Sequence, residues 1–310
     1  LVPRSLGIHA VLIPHNDFDT RYFNHKVISS KNSDISLNYN IVNSFVRNNE
    51  YSNESFYERI GFEVVGPILY GYCKWLCKKL QDNNINKVFF LAREGFMLER
   101  AFDAFHPEGV TYHVIRVSRR ATALPLLYKT KNLDDILERI TVTRANFTVK
   151  DILDSCELPK EDIRRVLNST ICKGSECIGS LSSDARENLF KCAQPYIVKI
   201  SRQQEEYIRG YLERYDFCGK IAVCDVGWHG TIQNALQAIF TENDIYGYYV
   251  GKKEKHSIAK KAKSEAFLFS NNYNKPILSE VMSAPDLFEL FFLSVDGSAK
   301  KYARDDTGKY

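Results

Sequence analysis

Lys220-Ile221-Ala222-Val223-Cys224-Asp225-Val226-Gly227-Trp228-His229-Gly230-Thr231-Ile232-Gln233 reads as an apolar strand that ends in a carboxylate and turns through two glycines into a helix. A strand apolar along its whole length is buried on both faces, the mark of a parallel sheet covered by helices. The same pattern stands upstream. Lys87-Val88-Phe89-Phe90-Leu91-Ala92 is followed by the turn Arg93-Glu94-Gly95 and a helix from Phe96 to Phe105. A second strand follows from Tyr112 to Val117 and closes on Ser118-Arg119-Arg120. Ile245 to Gly251 and Ala266 to Phe269 complete the strands. Alternating strand and helix predicts an α/β fold with a parallel twisted sheet.

Between these two blocks, residues 132–215 carry helical periodicity throughout, with polar starts such as Asp134 and Ser182 to Asp184, and read as a large helical cap or insertion. The expected division is therefore a core of residues 53–131 and 216–310 interrupted by a cap at 132–215. Ahead of it, Ser55-x-x-Glu58 has the form of a capping box, and Gly66-Pro67 is expected to interrupt that helix before a second one ending at Asp82-Asn83-Asn84. Residues 6–52 hold one apolar stretch, Ile8 to Ile13, followed by polar, Asn-rich sequence, and are expected to be the remnant of a preceding domain and a linker. Leu1-Val2-Pro3-Arg4-Ser5 resembles a thrombin-cleavage linker, a tag remnant.

Composition narrows the class further. The 310 residues carry 42 Lys plus Arg against 38 Asp plus Glu, a net charge of +4 that is too mild to argue for nucleic acid. No apolar run approaches the roughly 18 residues of a membrane span. Eight cysteines lie without a CxxC pair or zinc-ligand spacing, so unpaired thiols in a reducing cytoplasm are expected. Cys73 and Cys77, one helical turn apart beside Tyr72, Trp75 and Leu76, suit an amphipathic helix. Seven histidines without HxH or HExxH spacing argue against a metal site built by the protein.

The two strand-to-helix turns carry the chemistry. In open α/β sheets, ligands bind outside the carboxyl ends of the strands, where loop amides and helix dipoles collect anions. Arg93 supplies a cation, and Gly95 is expected to let the backbone approach a ligand. In the second turn Asp225 suits sugar hydroxyls, and Gly227, Gly230 and Thr231 suit phosphate; the plain alternative is a tight turn with Thr231 as an ordinary N-cap. Arg116, Arg119 and Arg120 at the second strand's end are candidates to grip a diphosphate, or else a solvated basic strand end. Glu94 beside them needs either a bridging Mg²⁺ or a role as general base.

Taken together, the order strand-Arg93-Glu94-Gly95-helix, basic strand end, cap, and Asp225-Val226-Gly227-Trp228-His229-Gly230-Thr231-helix resembles the phosphoribosyltransferase domain of bacterial glycan assembly, a divergent relative of type I phosphoribosyltransferases. The resemblance spans Glu54 to Ala299. It implies a sheet of the type I phosphoribosyltransferase kind, with Arg93, Glu94, Gly95, Arg116, Arg119 and Arg120 binding diphosphate. Asp225, Gly227, Trp228, His229, Gly230 and Thr231 would then hold ribose 5-phosphate, with Glu94 and Asp225 as the catalytic residues. Only one acid precedes the second loop where type I enzymes have two, and Trp228-His229 replaces small hydroxyl residues. Phosphoribosyl diphosphate would be the donor, with Mg²⁺ on its diphosphate, and a lipid-linked O-antigen or capsule glycan at the inner face of the membrane the acceptor. A haloacid-dehalogenase-type phosphatase precedes such domains, and Ser5 to Pro14 looks like its last strand.

Other features are weaker. Asp17-Phe18-Asp19-Thr20 superficially resembles a phosphatase nucleophile motif, but polar residues separate it from the strand. Glu280, Asp286 and Glu289 lie among aromatics and suit either an acceptor-sugar platform or, more commonly, an amphipathic C-terminal helix. Lys252 to Lys263 reads as a solvated connection, with attraction to anionic lipid headgroups the alternative. Two other functions stay open on the residues alone: a phosphosugar hydrolase with Asp225 as nucleophile, and a non-catalytic sugar-phosphate-binding module.

Overall fold

The computed structural model describes residues 55–140, 147–253 and 263–308. The expectations for residues 1–52, including the strand at Ile8 to Ile13 and the Asp17 motif, lie outside the described residues, as does most of the Lys252 to Lys263 run. The chain divides into two compact units at Pro67 and Ile68. The cut falls later than the expected domain start at 53, and the helical residues 132–215 belong to the same unit as the sheet.

In the first unit, Ser55 caps helix α1 (Phe56–Ile60). The Ser55 hydroxyl accepts from the Glu58 amide, and the Ser55 amide donates to Glu58 Oε2 at 2.7 Å. A π-helical turn, Gly61–Val65, follows. The expected interruption at Gly66-Pro67 does not form. Proline lacks an N–H, and its ring collides with the carbonyl four residues back, a conflict that the wider turn removes. Helix α2 (Gly66–Asp82) buries Tyr72, Cys73, Leu76 and Leu80, which share one face. Asn84, at φ 51°, takes the left-handed conformation that Asn tolerates and turns the chain into the sheet.

Five parallel strands form that sheet: β1 (Lys87–Leu91), β2 (Thr111–Ile115), β3 (Lys220–Asp225), β4 (Asp244–Gly251) and β5 (Ser264–Phe269). Their order is β2-β1-β3-β4-β5. The strands are where periodicity places them, shifted by a residue or two at their ends. β1, β3 and β4 are buried almost throughout, as their continuous apolar sequence requires.

Helix α3 (Gly95–Asp103) connects β1 to β2. From β2 the chain enters the helical excursion: α4 (Arg119–Ala123), a 3₁₀ segment Leu124–Lys129, α5 (Leu133–Ile140), α6 (Val149–Ser155), α7 (Lys160–Ser169) and the long α8 (Ser183–Glu213). α8 serves two cores. Its first half packs Leu189, Phe190, Ala193 and Ile197 among the excursion's own side chains. Its second half sets Ile208, Tyr211 and Leu212 against Phe89, Ile221 and Val223 of the sheet. After β3 comes α9 (Thr231–Ile239), and after β5 come α10 (Lys275–Ser283) and α11 (Pro285–Leu290).

This strand order has a functional consequence. The chain leaves β1 toward β2 on one side and returns to β3 on the other, so the β1 and β3 loops splay apart and leave a crevice between them. All eight cysteines are free thiols, with Cys73, Cys156, Cys172 and Cys224 buried. Among the described residues no helix is long and apolar enough to cross a membrane.

Candidate functional site

A cleft of about 770 Å³ opens at this switch point. Clefts of roughly 300–1,000 Å³ suit small ligands. The β1 loop contributes Arg93 and Glu94; the β3 loop contributes the whole run Asp225 to Ile232; Ser118, Arg119 and Arg120 stand at the end of the β2 connection. The two turns that are remote in sequence therefore face one space. Both contain a non-proline cis peptide, Ala92–Arg93 and Gly227–Trp228.

Glu94 is the N-cap of α3 but does not cap it; its carboxylate turns back to accept from the Arg93 amide at 3.1 Å and lies 3.9 Å from the Arg93 guanidinium. Gly95 does not line the cleft. It is buried, and a Cβ there would stand 2.7 Å from the Phe90 carbonyl carbon. Its expected role in approaching a ligand is corrected: glycine is required so that α3 can lie directly on β1.

Asp225 ends β3 at the base of the cleft, with its Oδ1 accepting from the Val226 amide at 2.8 Å. Burial pushes its carboxyl well above the usual carboxylate range, and the Glu94 carboxylate adds to the shift, as does Glu289; the Val226 hydrogen bond and Arg119 pull the other way. The loop beyond is fastened to the end of β4. The Gly251 amide donates to Val226 O at 2.9 Å, the Lys253 amide donates to Trp228 O at 2.9 Å, and the Lys253 carbonyl lies 2.7 Å from His229 Nδ1. A Cβ on Gly227 would come within 2.7 Å of Gly251 O, so only glycine permits this approach.

Thr231 is not the N-cap of α9. That position is Gly230, at φ 66°, which has no side chain with which to cap the helix. The first-turn amides of a nine-residue helix thus open toward the cleft, where an anion would satisfy them.

The three arginines at the β2 end separate. Arg119 faces the cleft, and no ion pair engages it among the described residues. Arg120 also lines the cleft, but its guanidinium is held by Glu157, and its buried Nε has no hydrogen-bond partner among the described residues. Arg116 is absent from the lining: it pairs with Asp296 at 3.2 Å and lies over the Phe96 ring. Arg116 lies just beyond β2, whereas Arg119 and Arg120 open helix α4, so the three belong to different segments and do not share a destination.

Two walls were not visible in the strand-turn-helix pattern. Glu289 of α11 enters the cleft and accepts from Trp228 Nε1 at 2.5 Å; burial raises its carboxyl above the ordinary range, while that hydrogen bond opposes the rise. The C-terminal segment Gly297–Lys300 closes another side. Glu289 stood among the aromatic-acidic residues 278–292, whose expected single amphipathic helix is instead broken at Ala284 into α10 and α11, neither of which buries a residue. Gly297–Lys300 is coil and carries no periodic signal.

No known family model matches the chain, and no curated protein sequence matches it. The site thus rests on its own geometry. Arg93, Arg119, Arg120 and Lys300, together with the start of α9, line the same cleft as Glu94, Asp225 and Glu289. Such a site can hold an anion and, beside it, hydroxyl groups that pair with carboxyls.

Proposed function

We propose that the cleft binds phosphoribosyl diphosphate and transfers its ribose 5-phosphate to a hydroxyl of a bacterial surface polysaccharide acceptor, O-antigen or capsule, with release of diphosphate. One observation carries this reading: the β1 and β3 loops meet at the topological switch point, and the cleft between them is lined by both cations and carboxyls. A donor that carries phosphates as well as ribose hydroxyls finds partners for each in such a lining.

In this reading the α9 amides and Gly230-Thr231 hold the 5-phosphate, and Asp225 takes the ribose hydroxyls. A carboxyl whose ionisation is disfavoured by burial is suited to hydrogen-bond sugar hydroxyls. Arg93 and Arg119 hold the diphosphate, with Arg120, held by Glu157, at the edge of the same cleft. Glu94 accepts the proton of the attacking hydroxyl as its oxygen bonds to the anomeric carbon. The bond from that carbon to the diphosphate oxygen breaks, and its electron pair leaves with diphosphate. Positive charge on the ring carbon grows during the transfer, so positioning and leaving-group stabilisation supply most of the catalysis.

Mg²⁺ fits the residues present. Glu94, Asp225 and Glu289 line one cleft, and oxygen donors suit a hard cation. Among the described residues no group of three or more His, Cys, Asp or Glu side chains is arranged to hold a metal. The ion would therefore be carried by the oxygens of the donor's diphosphate and by water. When bound, it neutralises the diphosphate's charge.

Phosphorus NMR of the protein with Mg²⁺, phosphoribosyl diphosphate and a panel of synthetic glycan acceptors tests the proposal. Diphosphate is expected only when donor and acceptor are both present. Release of phosphate without acceptor would support the hydrolase, and donor binding without turnover on any acceptor a binding module. Glu94→Gln is expected to retain donor binding and slow transfer by roughly 10²-fold or more, the usual contribution of a general base; an unchanged rate removes Glu94 from that role. A lipid-linked acceptor at the inner membrane face, and removal of the product's phosphate by a phosphatase domain, complete the proposed setting.

A further inference from the structure

The segment Gly297–Lys300 is irregular backbone on the surface, the kind of chain that is ordinarily loosely held. Here it is fastened at several points. Tyr302, just beyond it, is buried at 7% exposure and stacks on Tyr211 with ring centroids 5.2 Å apart. Its hydroxyl donates to Arg116 O at 3.0 Å. Its backbone is read by one side chain: Gln204 of α8, 4% exposed, donates from Nε2 to Tyr302 O at 2.9 Å and accepts from the Tyr302 amide at Oε1, also at 2.9 Å. A carboxamide thus completes a two-bond pair with a peptide unit, as a neighbouring strand would.

One step back, Ser118 Oγ donates to Ala299 O at 2.5 Å while accepting from the Ala121 amide at the start of α4. The strap is therefore tied to the helix whose first residues are Arg119 and Arg120. Lys301 turns outward to Glu157, the residue that also holds Arg120. Lys300 instead lines the cleft, exposed, and no ion pair engages it among the described residues. Arg119 is in the same condition on the other side of the Ser118–Ala299 hydrogen bond.

We infer that this strap is part of the ligand site: Lys300 and Arg119 together grip the diphosphate group, and Gln204 is a positioning residue that sets Lys300 by holding Tyr302. The inference deepens the reading above and rests on it for the identity of the donor. Two cations outside any ion pair among the described residues, presented from segments hydrogen-bonded to each other, provide charge where a doubly phosphorylated anion needs it. Leaving them so avoids the competition that a resident carboxylate would impose on the ligand.

Isothermal titration of the full chain with inorganic pyrophosphate, with and without Mg²⁺, tests the strap separately from the transfer reaction. Lys300→Gln is expected to weaken binding about tenfold, the loss of one charge-assisted hydrogen bond, and to flatten the salt dependence. Lys78→Gln, on the exposed side of α2, is expected to change neither. Gln204→Leu is expected to weaken binding like Lys300→Gln, and the double variant to be no weaker than either single one. A merely structural role for Gln204 would give additive losses. Unchanged pyrophosphate affinity in Lys300→Gln, or additive losses, overturns the inference, as does a wild-type chain that does not bind pyrophosphate. Should pyrophosphate binding depend on Lys300 while phosphoribosyl diphosphate and glycan acceptors yield no diphosphate, the strap assignment stands and the proposed transfer falls.

Discussion

Trp228 donates its indole N–H to the Glu289 carboxylate at 2.5 Å, joining the β3 loop to the short helix α11. The same indole stacks on Phe269 of β5, with ring planes 16° apart, and meets Phe288 on the α11 side. Since α11 buries none of its residues, this contact is a main tie between that helix and the cleft wall. Trp228→Phe keeps an aromatic surface and removes the donor. The expected loss is about 1–2 kcal/mol, that of a hydrogen bond to a charged group near the surface. Urea denaturation at neutral pH checks it, and an unchanged midpoint would mean that Glu289 is held by other means.

Asp225 makes stability depend on pH with a definite sign. Its carboxyl is raised in the folded protein, first by burial and then by Glu94, so folding favours the protonated form. Its contribution is fully present below the ordinary carboxylate range and is lost as pH rises toward the folded-state value. Asp225→Asn keeps an oxygen for the Val226 amide and removes the charge. The variant is expected to be more stable than wild type at pH 7 to 8, with the gap closing toward pH 4, and to have lost transfer activity. Denaturation at those pH values decides it: a gap that widens as pH falls would contradict the assigned shift.

Arg116 and Arg119 stand three residues apart and are expected to behave differently. Arg119→Gln should weaken pyrophosphate binding several-fold, because that guanidinium faces the cleft without an ion pair among the described residues. Arg116→Gln should leave it unchanged, since Arg116 is committed to Asp296 and the Phe96 ring. The two variants are compared by titration, and equal losses would refute the separation.

Gly95→Ala tests packing rather than ligand contact. The added methyl would lie 2.7 Å from the Phe90 carbonyl carbon, forcing α3 away from β1. Overpacking of this kind costs roughly 1–3 kcal/mol. A urea midpoint equal to wild type would show that the helix can shift freely.

The sheet was readable because a strand buried on both faces must be apolar along its length. Val88-Phe89-Phe90-Leu91 and Ile221-Ala222-Val223-Cys224 satisfy that condition wherever they pair. The loops after them were readable for a related reason: Asp225 interrupts an apolar run, and Gly227 and Gly230 punctuate the turn after it. The task of glycine at each position was not readable. Gly95 and Gly227 look alike in sequence, and each proves to be needed by a neighbouring backbone, Phe90 in one case and Gly251 in the other. Nor could adjacency separate Arg116 from Arg119, because one follows β2 directly and the other opens α4, and where that helix packs is decided in three dimensions.

By itself, then, the sequence determined an α/β parallel sheet, its strands within a residue or two, the long helical excursion and two polar turns at strand ends. Those are consequences of local pattern, which repeats every two residues in a strand and every 3.6 in a helix. Tertiary structure alone decided that the two turns share one cleft, because the strand order puts β1 beside β3 although more than a hundred residues separate them. It also decided that Glu289 and the Lys300 strap complete the walls. Their positions follow from long-range pairings, Trp228 with Glu289 and Gln204 with Tyr302, and a bond between distant residues leaves no period in the chain to be read.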